Sequence, residues 1–406
     1  VAGPAGSSGA GVGRRDDAPV VVVGAGIGGL TAALALLRAG ETAVLVEQAP
    51  AIAAVGAGLT LSPNATRVLH ALGLESDLAA IASRPDRGAI RHYRSGEPFV
   101  VNERADHAAR FGAPYCQVHR ADLHAALARA VAAHDPDALR LGRTFDGFVP
   151  EPDGVDVSFR RPDGTHETLR ARALIGADGA KSAVRTQLFN ASPPHFTGYA
   201  AWRGVVPVDR LPPGTIDYPT CLYVGPQKMF ARYLVRGGSE VNFVAAIRQP
   251  EWTVESWSAR GDRAEALAAF AEFHAAVRAI LGAVAPEALF KWALYTREPL
   301  LRWTEGRVGL LGDAAHPMLP FMGQGAAMAI EDAMVLARAF AAERAPERAL
   351  QRYEAARRER ATFVQSSSAR RGLALLSTDP DDYGRREQAD ETSLGLFAYD
   401  ATTVAV

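Results

Sequence analysis

The sequence predicts an α/β fold: a parallel nucleotide-binding sheet interleaved with an antiparallel substrate sheet, followed by a long C-terminal helix. Three observations carry this expectation. Apolar runs that stop at glycine recur early, midway and late, at 20–23, 173–175 and 308–311, as in strands buried on both faces of a parallel sheet. From about 199 to 247 the pattern becomes alternating and aromatic-rich, with Gly and Pro breaks, as in antiparallel strands. From 346 to about 376 a helical period persists, with Leu350, Tyr353, Phe363 and Val364 on one face.

Taken in order, residues 1–17 are small and polar and lack the apolar stretch of a signal peptide, so they read as a disordered leader. After the first strand, Leu30, Ala33, Leu34 and Leu37 keep helical spacing until Gly40, and 43–46 forms a second strand, giving a βαβ unit. Asp122 is placed to cap a helix whose apolar face is Leu123, Ala126, Leu127, Ala130 and Val131. His124 on that helix reads as a surface or cap-region residue. Strands on either side of Arg161-Pro162-Asp163-Gly164 form a hairpin. Leu267, Phe270, His274, Val277 and Leu281 predict one amphipathic helix, and a glycine-rich loop precedes another at 326–341. The Arg357-Arg358-Glu359-Arg360 run reads as a solvated face. The cofactor domain is therefore discontinuous (18–85, 115–190 and 295–345). The substrate sheet takes 86–114 and 191–294, and 346–406 is helix and tail.

The 406 residues are 48% hydrophobic, ample for a large core. With 44 basic and 45 acidic residues the net charge is −1, without the basic footprint that nucleic-acid or anionic-membrane binding needs. No apolar run reaches the roughly 20 residues that span a bilayer. Cys116 and Cys221 lie far apart without metal-ligand spacing, so a reducing cytoplasm is expected and a disulfide framework is not. The histidines, His119 among them, form no metal-ligand pattern.

Gly24, Gly26 and Gly29 fit GxGxxG between strand and helix. The first glycine permits a tight turn, the second lets backbone approach a pyrophosphate, and the third lets helix pack on strand. The helix N-terminus offers unpaired N–H groups to phosphate. Glu47 ends the second strand, where a carboxylate accepts hydrogen bonds from ribose hydroxyls. This motif denotes a dinucleotide, FAD or NAD alike. Gly176-Ala177-Asp178-Gly179-Ala180-Lys181-Ser182 and Gly312-Asp313-Ala314-Ala315-His316-Pro317 each follow an apolar run. Each alone is a turn, but Asp313 is also placed to bond a polyol such as a ribityl chain, with His316 as a local hydrogen-bonding neighbour. Gly323-Gln324-Gly325-Ala326 then opens a helix. Its N-terminus either stabilises the negative charge of a reduced flavin or serves as a plain strand-to-helix loop.

In this order the motifs resemble the group A flavoprotein monooxygenases typified by para-hydroxybenzoate hydroxylase, over about 20–363. The stretches GAGLTLSPNATRVLHALGL, VHRADLHAAL and MAIEDA are most similar to salicylate, hydroxybenzoate and hydroxynicotinate hydroxylases. The resemblance implies a Rossmann-like FAD-binding domain of the GR2 type, bound FAD, and NADH or NADPH and O2 as co-substrates. It implies hydroxylation of a small aromatic or heteroaromatic ring, phenolic or carboxylated, through a flavin C4a-hydroperoxide. It assigns to FAD Gly24, Gly26, Gly28, Gly29, Glu47, Gln48, Gly58, Arg120, Asp178, Asp313, Gly323, Gln324, Gly325 and Ala326. The Asp178 segment also serves the passing NAD(P)H. No metal is required, and a cytoplasmic monomer or homodimer is expected.

On the substrate side, Met229, Ala231, Tyr233 and Val235 share one face of an apparent strand. Related hydroxylases carry His where Met229 stands and Tyr where Tyr233 stands; the pyridine-hydroxylating ones also carry His at Thr60. A thioether neither deprotonates a phenol nor pairs with a carboxylate, so Met229 implies a more apolar pocket. Tyr233 is the catalytic candidate, orienting a phenol or relaying its proton; its alternative is a packed sheet tyrosine. Trp202 and Arg203 alternate faces, Trp202 as core and Arg203 as a carboxylate anchor. Pro320 and Phe321 either wall the substrate or simply shape their loop. Two rival functions stay open: a flavin epoxidase or hydroxylase of a larger polyketide-like substrate, and a flavin-binding redox sensor without turnover. No WxWxIP stretch marks a halogenase.

Overall fold

The computed structural model describes residues 18–52, 57–190, 193–252, 259–377, 379–383 and 392–406; the expected leader, 1–17, lies outside them. The fold is mixed α/β, with the nucleotide-type sheet, the antiparallel sheet and the long C-terminal helix that the sequence predicts. Val20–Val23, Ala43–Val46, Ala173–Gly176 and Val308–Leu310 are buried along their whole length. Strands apolar on both faces pair in parallel under covering helices. They form a six-stranded sheet in the order Thr304–Glu305, Val308–Leu310, Ala173–Gly176, Val20–Val23, Ala43–Val46, Leu139–Arg140. Only its edge pair, Thr304–Glu305 with Val308–Leu310, is antiparallel. Backbone bonds then lace the strand ends together. Ala177 donates to the Val23 carbonyl (2.8 Å), Leu311 to that of Gly176 (2.9 Å) and Gly24 to that of Val46 (2.8 Å). The three glycine-bearing motifs therefore leave one edge of one sheet.

A seven-stranded sheet runs Phe290–Thr296, His195–Pro207, Glu240–Arg248, Lys228–Val235, Thr220–Gly225, Arg87–His92, Pro98–Glu103. Side-chain alternation gives it two different faces. Trp202, Tyr223, Phe230 and Phe243 pack with residues of the helices Arg263–Ala269 and Ala275–Ala283. Ala201, Val224, Met229, Ala246 and Trp292 form the other face, and join Leu375 and Leu376 from the end of the helix Pro346–Ser377. The short pair Gly58–Leu61 and Cys116–His119 connects the two sheets.

Four expectations are corrected. The single helix expected across 267–281 is two, because Asp262 and the Nδ1 of His274 each cap a separate start. Phe270 and Phe273 still share the core across the break. Asp122 is not a cap: the helix Arg120–His134 starts two residues earlier, with His119 Nδ1 accepting from Ala121, and Asp122 pairs with Arg236 at 2.9 and 3.1 Å. His124, expected as a surface or cap-region residue, is half-buried and has a specific partner: its Nε2 donates to the Ala25 carbonyl at 2.6 Å. The Arg357–Arg360 run is not a solvated face. Helical spacing turns Arg357 and Arg360 inward and leaves Arg358 and Glu359 outside. Arg357 is fully buried, 2.6 Å from Glu331 and 2.8 Å from Asp332, and Arg360 grips Glu331 through two 2.8 Å bonds.

Candidate active site

Gly24 adopts φ +100°, which favours glycine, and a Cβ on Gly29 would run into the Gly24 carbonyl oxygen. The turn between strand and helix is thus closed to other residues. Gly28 packs inward, where a Cβ would meet Leu311 at 2.8 Å and Ala329 at 3.1 Å. Around Gly26 none of the described residues lies within 4 Å of a Cβ, so the backbone there leaves a space open to close approach by a ligand. The helix Ile27–Arg38 has no side-chain cap, leaving its first N–H groups directed at that space. Glu47 closes the same end: Oε2 accepts from Ala25 (2.8 Å) and Oε1 from Ala49 (2.9 Å). Gln48 beside it is exposed.

Asp178 Oδ2 accepts from Ala183 (2.7 Å) and Val184 (3.1 Å), while its Oδ1 is buried without a partner among the described residues. Arg185, which sequence reasoning missed, joins this segment to the next. Its buried guanidinium donates to the carbonyls of Ala180 (2.6 Å), Asp313 (3.3 Å) and Ala314 (2.8 Å). Burial, then the charge of Arg297, pushes its pKa down to about 10. Its only sequence signal was its place in the helix Ala183–Phe189 that follows the Asp178 motif.

Asp313 is open to the cleft yet surrounded by protein atoms, as a group on the floor of a deep groove is. That surrounding raises its carboxyl pKa, against the lowering charges of His316, Arg120 and Arg185. One of its oxygens lies 3.9 Å from the Cβ position of Gly325, the first residue of the helix Gly325–Ala342. That helix also lacks a side-chain cap, so Gly325 and Ala326 present open N–H groups beside Asp313. Gln324 is anchored by Ser62 (3.1 Å), and Asn64 ties the same corner to Glu331 at 2.6 Å. His316 Nε2 bonds Asp332 at 2.6 Å. Burial would raise the Asp332 pKa, but the charges of His316 and Arg357 outweigh it and hold the carboxyl down at about 2.

An orphaned Asp178 oxygen, two uncapped helix starts and the open cradle at Gly26 fit a flavin dinucleotide lying along this edge. The Arg120 N–H donates to the Ala57 carbonyl (2.9 Å), and the charge of Arg120 reaches Asp313.

The second wall of the cleft is the Met229 face of the seven-stranded sheet. Gly58 donates to Asn242 Oδ1 at 2.7 Å, and a Cβ on Gly58 would overlap the Tyr233 ring. Tyr233 therefore stands against the strand Gly58–Leu61, whose Thr60 is 3.4 Å from the Cβ position of Gly323. Burial, then Tyr115, pushes the Tyr233 phenol well up, so it stays protonated at neutral pH. Register places Arg203 opposite Val244 and Val244 opposite Ala231, so Arg203 lies two strands, about 10 Å, from Ala231 on the same face. Its guanidinium covers the Trp292 ring at 5.0 Å. Met229 is buried with Trp292 and Leu319, and Phe321 packs on that cluster. Pro320 is exposed at the edge of the cleft. Tyr233, Arg203 and Met229 thus share one face of the sheet, with Thr60 beside Gly323 and Phe321 on the Met229 cluster; Trp202 faces the opposite side, in the core.

The model of the FAD binding domain family matches residues 17–368. A 3-amino-4-hydroxybenzoate 2-monooxygenase of Streptomyces platensis is 40% identical over 94% of each chain. A 6-hydroxynicotinate 3-monooxygenase of Bordetella bronchiseptica is 36% identical, over 89% of this chain and 93% of that one. Among solved structures, Klebsiella pneumoniae HpxO complexed with FAD and uric acid superposes with a TM-score of 0.81 at 28% identity, covering 94% of this chain and 95% of that one. A salicylate hydroxylase substrate complex superposes with a TM-score of 0.79 at 25% identity, covering 96% and 97%.

Proposed function

The chain belongs to the family of FAD-dependent aromatic-ring monooxygenases, and from that premise we propose that it hydroxylates a small hydroxybenzoate carrying an amino group, using O2 and NADH or NADPH. FAD is its cofactor. The observation that carries the proposal is the contact at Gly58, which brings the protonated Tyr233 phenol against the strand bordering Gly323.

Bound FAD supplies electron transfer and oxygen activation. The chain's own part is positional. The two uncapped helix starts hold phosphate and ring charge, and Asp313 and Asp178 hold polar groups between them. Tyr233 shares a hydrogen bond with the ring hydroxyl, and Arg203 pairs with the ring carboxylate across the sheet face. Met229, Trp292 and Phe321 exclude water from the reacting face.

Thr60 and Met229 cannot take a phenol's proton at neutral pH, and Tyr233 is itself held protonated. The ring must therefore bring its own electron density, which an amino group beside the hydroxyl provides without a base. This supports an aminohydroxybenzoate over a hydroxynicotinate, in line with the 40% identical relative. The buried free thiols of Cys116 and Cys221 support a reducing compartment.

The test is NAD(P)H consumption by the FAD-loaded protein with 3-amino-4-hydroxybenzoate, 4-hydroxybenzoate, salicylate and 6-hydroxynicotinate, with product mass measured. The first should be fastest and gain one oxygen atom. If no ring raises consumption above the basal rate, the proposed substrate class is wrong.

A further inference from the structure

We propose that Gly372 sets the width of the ring pocket by letting Phe321 lie against the C-terminal helix; the assignment rests on the function proposed above. Glycine is among the poorest helix residues, yet Gly372 lies inside the helix Pro346–Ser377. A Cβ there would overlap Cδ2 and Cε2 of Phe321 and stand 3.0 Å from its Cγ.

The segment bearing Phe321 is pinned. Gln365 Nε2 donates to the Pro317 carbonyl (3.0 Å) and Ser368 Oγ to that of Leu319 (2.6 Å). Gln365, Ser368 and Gly372 follow one another at helical spacing, on one face of the helix. With the backbone tied at Pro317 and Leu319, an added methyl at 372 is relieved by turning the Phe321 ring. The ring also packs on the cluster that holds Met229, Trp292 and Leu319 together with Leu375 and Leu376 of the same helix. Because Phe321 borders the space where the substrate ring is proposed to lie, a ring displaced from Gly372 changes the width of that space. The missing side chain in a distant helix thus becomes room beside the substrate's ring substituent.

The experiment compares calorimetric binding of 4-hydroxybenzoate, 3-amino-4-hydroxybenzoate and 3-acetamido-4-hydroxybenzoate to FAD-loaded unaltered protein and Gly372→Ala. Expected is a loss of about threefold for the unsubstituted ring and about tenfold or more for the 3-substituted ones, since a methyl-sized change in a pocket has effects of that order. Adding Phe321→Leu to Gly372→Ala should restore the affinities. Equal affinities in both proteins, or a uniform loss that Phe321→Leu does not reverse, would overturn the assignment. If Gly372→Ala does not fold, Phe321→Ala decides alone: it should bind the acetamido ring more tightly, and no gain refutes the wall. Rings that bind the unaltered protein without raising NAD(P)H consumption refute the proposed function only. Rings that do not bind at all refute both.

Discussion

The two walls of the cleft are built on different principles. On the parallel-sheet side the ligand-facing surface is backbone: uncapped helix starts, a turn closed to side chains at Gly24 and Gly29, and strand ends laced by Ala177 and Leu311. On the seven-stranded side the proposed ligand-facing surface is side chains on alternating positions, Met229, Tyr233, Arg203 and Trp292, with backbone hidden in the ladder. Backbone recognition constrains residue type tightly, whereas a lined pocket tolerates exchange and carries specificity.

The sharpest way to break this contrast is to put a side chain where backbone is needed. Gly29→Val should cost about 4 kcal/mol or more and leave the protein without bound flavin, read from the flavin-to-protein absorbance ratio and a thermal melt. Met229→Leu, a volume-conserving change on the other wall, should stay within about 1.5 kcal/mol. Next in size is the lock behind the parallel-sheet wall. Arg357→Met leaves Glu331 with Arg360 and Asn64 and Asp332 with His316, but removes the buried charge that both carboxylates share, and should cost about 3 kcal/mol in urea unfolding. Adding Glu331→Gln and Asp332→Asn should recover much of that loss.

The same lock has a pH signature. The folded carboxyl of Asp332 lies at about 2, below an unfolded value near 3.9. Its contribution is complete above that unfolded value and is lost as pH falls from about 4 toward 2, by about 2 kcal/mol. Asp332→Asn should flatten this limb of the stability profile; an unchanged acid limb would show that the pair is not the source. On the other wall, Tyr233→Phe should lower kcat/KM about tenfold on a phenolic ring. The melting temperature should barely move. Smallest of all, Arg358→Ala should change stability by less than about 1 kcal/mol, because Arg358 is exposed and Glu354 keeps its bonds from Trp303 and Thr304. Arg357 and Arg358 adjoin in sequence, so the gap between their effects measures burial alone.

Legibility in the sequence follows the same division. Gly24 and Gly29 were readable because the strand-turn-helix geometry admits few residues at those places. Arg185 was not, since the carbonyls it bridges come from segments far apart in the chain. The Arg357 run was misread because composition alone does not say which face of a helix meets Glu331. The break at His274 escaped because the apolar period continues through it. Gly372 carried no signal at all; its meaning exists only in contact with Phe321.

The buried bonds of Arg357 and Arg360 to Glu331 and Asp332 also bear on how the molecule is made. Chains emerge from the ribosome N-terminus first, at about 5–20 residues per second. The Gly24 turn and the Asp178 segment exist long before the arginines that neutralise the helix Gly325–Ala342. Until then two carboxylates face an unfinished core, and that helix has no stable seat. The cofactor edge is thus completed only by elements synthesised long after the Gly24 turn, so a nascent or truncated chain ending before Arg357 should not retain flavin.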